Sequence, residues 1–227
     1  LIGYLGLILP ALLWLIAGWR TMEGLQPWKP LASVSAYYYT GAVSAFAGIL
    51  VALALFLFSY RGYDNAYHRR DRIAAIIAGV AAVLVAFFPT GAPGDLKALS
   101  WWTPLIGGIH YFSAVVLFGA FIFFSIFLFR RSKVKRGESL PRGKRFRNVI
   151  HIFCGVAMLA CMLWAGIATV TGATIFWPEA FALEFFAVSW LTKGRADITV
   201  VAAGKRTLYY GRHHRQLFAE FRRRTTA

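Results

Sequence analysis

"PLIGGIHYFSAVVLFGAFIFFSIFLF", residues 104–129, runs for 26 residues without a Lys, Arg, Asp or Glu. A helix of that length rises roughly 39 Å, more than the ~30 Å hydrocarbon core of a bilayer, so the stretch predicts a membrane span. Working outward, five further apolar runs predict helices at 1–19, 41–60, 73–88, 148–170 and 175–191. The first run lacks a basic leader and a small-residue cleavage site, so it reads as a spanning helix. The expected fold is all-α, a polytopic six-transmembrane-helix bundle over residues 1–193. A basic tail, residues 194–227, follows it.

Charge sets the expected orientation. The net charge is +16, yet the basic residues fall between and after the apolar runs, the pattern of cytoplasmic membrane loops. No nucleic acid is therefore expected as a partner. The connection "RRSKVKRGESLPRGKRFR", 130–147, carries nine Lys or Arg against one Glu, and "RGYDNAYHRRDR", 61–72, is also basic. The alternate connections carry little charge and hold Trp28, Tyr37, Tyr38, Tyr39, Trp101, Trp102 and Trp177, the expected interfacial aromatics. Both termini are thus expected in the cytoplasm. Cys154 and Cys161, seven residues apart on one helix, are about 10 Å apart and cannot bridge.

The polar residues inside the apolar runs are the candidate site. "FWPEAFALEFFAVSW", 176–190, places Glu179 in a first helical turn behind Pro178, where the helix dipole favours an acid. Glu184 lies near mid-helix, where an ionised carboxylate facing lipid costs several kcal/mol. An interior partner is expected, and His110 is the candidate. In an enzymatic version His110 is general base, oriented by Glu179 or Glu184. Ser35, Tyr38, Tyr39 and Thr90 would line an outer-half polar cavity as ligand-binding residues, with Ser33, Thr40 and Asp95 nearby. Asp64, Asn65, His68 and His151 read as inner-side groups paired with Arg61, Arg69, Arg70 and Arg72.

One histidine and a few carboxylates make a poor zinc set, so no metal is expected, and no nucleotide, haem or phosphate-loop motif implies a cofactor. The tail "GRHHRQLFAEFRRRTTA", 211–227, can form a short amphipathic helix suited to anionic lipid headgroups.

"YYYTGAVSAFAG", "FFPTG" and "IHYFSA" together resemble a pattern in small prokaryotic six-helix membrane proteins. These are similar to the DRAM (damage-regulated autophagy modulator) and FGF-receptor-activating-protein superfamily. The resemblance covers roughly residues 35 to 125, with Phe88, Pro89 and His110 at its recurring positions. It implies lipid-related work without fixing an activity. The expectation is thus a lipid-binding or lipid-remodelling membrane protein, with membrane lipids as partners, and the resemblance to prokaryotic proteins implies a bacterial inner membrane. An accessory subunit of a larger membrane complex, with a membrane-protein partner, and a small proton-coupled transporter are the alternatives; enzymatic and non-enzymatic versions both stay open.

Overall fold

The computed structural model describes residues 1–19, 28–60, 68–94, 96–131 and 141–194. Among them are six α-helices and no strand. These are α1 (Ile2–Trp19), α2 (Val43–Ser59), α3 (His68–Phe87), α4 (Pro104–Phe123), α5 (Arg142–Thr171) and α6 (Phe176–Lys193). A 3-10 turn, Ser35–Tyr39, precedes α2, and a π turn, Phe124–Leu128, ends α4.

Each helix packs on its neighbours in sequence and α1 returns to α6, which closes a ring. Its interior is filled by Phe46, Leu53, Phe121, Phe124, Met158 and Phe186, all nearly inaccessible. Phe121 and Phe186 stack with centroids 3.6 Å apart, joining α4 to α6 across the ring. Ring closure depends on a small residue. A Cβ added at Gly3 would lie 2.8 Å from Leu191 Cγ and 3.1 Å from the Ala187 carbonyl, so only glycine lets α1 approach the α6 backbone here.

Helix starts differ from the apolar pattern. The structure begins α3 at His68 and α5 at Arg142, five and six residues before the hydrophobic runs. Arg and Lys are good helix formers, so a helix continues past the stretch that apolarity marks.

Two helices, Pro104–Leu128 and Arg142–Thr171, are long and apolar enough to cross a membrane, and Ile2–Gly18 and Val43–Ser59 are shorter apolar helices. The charged first turn shortens the apolar part of α3, while Glu179, Glu184 and Lys193 dilute α6. The outside of the ring is itself apolar. Phe112 is 72% exposed, Phe153 62% and Ile167 65%, and Leu55, Ile77, Leu163 and Val188 join them.

Candidate functional site

The candidate residues at one end of the ring organise two chain breaks. Pro89 stops α3 and leaves carbonyls without helical donors. Three successive ones are taken by side chains from elsewhere. His110 Nδ1 meets the Phe88 carbonyl at 2.6 Å, Trp102 Nε1 donates to Pro89 O at 3.1 Å, and the Tyr39 hydroxyl donates to Thr90 O at 2.5 Å. Thr90 Oγ1 and the Tyr111 hydroxyl, 2.7 Å apart, complete the cluster. This is the physical content of the Phe88, Pro89 and His110 pattern: the histidine closes the end of α3.

Glu179 serves the second break. Its Oε2 accepts from the Val34 amide at 2.7 Å, at the start of the 3-10 turn. The Ile175 amide donates to Ala32 O at 2.7 Å, so the start of α6 holds residues 32–34 by backbone and side chain together. Tyr37, expected as an interfacial anchor, is instead 1% exposed and packs on Phe176. Burial pushes the Tyr37 and Tyr39 phenols above their ordinary range, so both remain protonated.

These residues do not assemble as a His–Glu pair. Among the described residues no hydrogen bond joins His110 to Glu179 or Glu184. Glu179 and Ser35 share the wall of a cavity of about 40 Å³, with Leu9, Phe46, Leu117 and Phe118. That volume holds a water molecule or a few and excludes a lipid chain. Tyr38 packs on Tyr39 and Phe46, outside this wall. Thr90 is committed to its loop. Glu184 shares a stripe of α6 with exposed Trp177, Phe181 and Val188, at i−7, i−3 and i+4, so it stands at the outward edge of the helix. Asp95, Asp64, Asn65 and the tail lie outside the described residues, as does the side chain of His68.

A second polar cluster, at the opposite end of the ring, is better enclosed. Ser125, His151 and Ser189 come from the π turn, α5 and α6 and are 1%, 1% and 0% exposed. Ser189 Oγ hydrogen-bonds Ser125 Oγ, and His151 Nδ1 lies 3.0 Å from Ser189 Oγ. Each serine has one hydroxyl proton, so the chain is directional: if Ser189 donates to His151, Ser125 donates to Ser189. Lys144, Lys193, Arg147 and Arg130 lie near enough to act electrostatically on His151, and buried Asp71 attracts Lys193. Lys144 Nζ donates to the Phe129 carbonyl at 3.0 Å, and Lys193 Nζ sits 5.2 Å above the Phe129 ring. Tyr60, Phe124, Phe129 and Trp190 pack edge-to-face or tilted around these groups.

Local sequence builds this site in three ways. The π turn, closed by the Phe129 amide on Phe124 O at 2.9 Å, inserts one extra residue per turn and brings Phe124, Ser125, Leu128 and Phe129 all inward. Gly155 lets α5 meet that turn, since a Cβ there would overlap Ile126. On α6, Ser189, Thr192 and Lys193 fall at i, i+3 and i+4, one face of the helix. That spacing in "SWLTKG" was the available signal. His151, expected to pair with loop arginines, instead belongs to the bundle interior, because the face of α5 that carries it packs against Ser189 of α6 and Phe129.

Among the described residues no three His, Cys, Asp or Glu side chains gather as metal ligands. Cys154 and Cys161 are buried and free. No family model, curated protein or solved structure matches this chain.

Proposed function

We propose that the chain is an integral membrane protein of six spans in a bacterial inner membrane, with both termini cytoplasmic, and that it binds or remodels lipids. The apolar exterior of the ring and the alternation of basic and weakly charged connections support the topology. The resemblance of residues 35 to 125 to the DRAM superfamily accords with it. The lipid reading rests on one observation: a Ser–Ser–His chain lies at the basic end of the bundle, among Lys144, Arg147, Arg130 and Lys193. Such a setting attracts an anionic headgroup and supplies it with an activated hydroxyl. In the enzymatic form His151 withdraws the Ser189 proton as general base, and a substrate reaches Ser189 by opening between α4 and α6. In the binding form the same groups hold the headgroup by charge and hydrogen bonds.

The test compares the lipids that co-purify with the chain, by native mass spectrometry after gentle extraction, for the unmodified protein, His151→Ala and Ser189→Ala. Loss or change of a defined lipid in both variants, with helicity intact, supports the proposal. An unchanged lipid complement in both removes this site from the function.

Glu184 favours a second reading, an accessory subunit. A mid-helix carboxylate beside exposed Trp177, Phe181 and Val188, with no hydrogen-bond partner among the described residues, gains from a donor on a neighbouring protein's helix.

A further inference from the structure

We infer that the cavity between Glu179 and Ser35 holds water inside the ring, and that Glu179 exchanges a proton through it. This site is separate from the one in the lipid reading, lies at the opposite end of the bundle and works with or without a membrane. The cavity has about 40 Å³, with Leu9 of α1, Phe46 of α2, Val85 of α3 and Leu117 of α4 in its wall beside Glu179 of α6. Two polar groups of that wall are left over. Glu179 Oε2 accepts from the Val34 amide, and among the described residues neither its Oε1 nor the Ser35 hydroxyl has a hydrogen-bond partner. Ser35 is 8% exposed, so bulk water does not serve its hydroxyl. A buried polar group without a partner is costly, and a water shared between these two relieves both at once.

Size and chemistry select the guest. At ~10–15 Å³ each, one to about three waters fit, and nothing as large as a sugar or an acyl chain does. A hard cation takes about six oxygen ligands, whereas Glu179 and Ser35 are the only polar side chains of the wall and the rest are aliphatic or aromatic. Among the described residues no basic side chain lies in the wall to balance a carboxylate. The elements packed around Glu179 carry Tyr37, Tyr38 and Tyr39 on the 3-10 turn, His110 and Tyr111 on α4 and Glu184 on α6. Tyr4, the charged first turn of α3 and Lys193 lie at the opposite end. His110 is committed to the Phe88 carbonyl, and Tyr39 and Tyr111 to Thr90. The dipole at the start of α6 favours the anion, but an unpaired charge facing an apolar wall costs more than a helix end returns, so the acid form is the one this wall accepts. Its O–H donates to the water while the Val34 amide holds the other oxygen in place.

The test uses the full chain in detergent, isotopically labelled at valine. Magnetisation transfer from water to the Val34 amide reports water held beside Glu179, and infrared spectra in light and heavy water report the carboxyl groups. A water cross-peak at Val34 is expected, together with a protonated-acid band that moves in heavy water. Glu179→Gln should erase that band and keep the cross-peak, because the glutamine amide accepts from Val34 and donates to water. Ala114→Val adds two methyl groups to the wall from α4, alters neither polar group and should erase the cross-peak, which keeps the test decisive should Glu179→Gln fail to fold. No cross-peak in the unmodified protein, a cross-peak that survives Ala114→Val, or unchanged carboxyl absorption in Glu179→Gln would each overturn the inference. A band that disappears when sodium is added to the unmodified protein would overturn it in favour of a cation site.

Discussion

Replacing Ser189 by Ala tests whether the buried cluster joins three helices. The side chain is 0% exposed and makes hydrogen bonds to Ser125 and to His151, so the substitution removes both and leaves two buried polar groups facing a methyl. Hydrogen bonds between membrane helices contribute ~0.6 kcal/mol on average and up to ~1.7 kcal/mol, which puts the loss at about 1–3 kcal/mol. The pairwise part is separable. In a double-mutant cycle with Ser125→Ala, the coupling should fall at about 0.6–1.7 kcal/mol, because in the Ser125→Ala background Ser189 has only His151 left to lose. Equilibrium unfolding in mixed detergent and SDS, followed by tryptophan fluorescence, measures all four proteins. Trp190 packs on Phe129, which packs on His151, and so reports directly on the site. A Ser189→Ala loss under about 0.3 kcal/mol together with zero coupling would refute the reasoning, since two independent side chains cannot be members of one chain.

Three further outcomes follow from the geometry. His110→Ala orphans the Phe88 carbonyl and should cost about 1–3 kcal/mol in the same unfolding assay while leaving bound lipid unchanged; a lost lipid with full stability would make it a lipid-site residue instead of a structural one. Gly3→Val forces a side chain against Leu191 and the Ala187 carbonyl, and overpacking of this kind costs about 1–3 kcal/mol; an undiminished midpoint would mean that α1 and α6 are less closely packed. Under the accessory-subunit reading, Glu184→Leu should free the chain from its membrane partner on blue-native gels with no loss of intrinsic stability, and an unchanged assembly would remove Glu184 from any interface.

What the sequence determined by itself is the helical plan. Apolar runs near twenty residues and the charge of the connections between them are local properties, and they placed six helices with ends within a few residues, except where α3 and α5 continue into basic sequence. Glu179 as a helix-start group was also legible, because Pro178 and the dipole act within one turn. The facing of side chains was not. His110 and Glu184 lie at depths that permit a pair, yet α4 and α6 meet mainly through Phe121 and Phe186, and Glu184 turns outward. Only the closed ring decided that His110 ends on the Phe88 carbonyl, and that Ser125, His151 and Ser189, separated by 26 and 38 positions, share one buried chain. The physical reason is that periodicity reports how a helix meets its surroundings on average, whereas a hydrogen bond depends on the rotation of two helices to within a fraction of a turn. That rotation is set here by the π turn and by close approaches at Gly3 and Gly155, which act through packing between segments far apart in the chain.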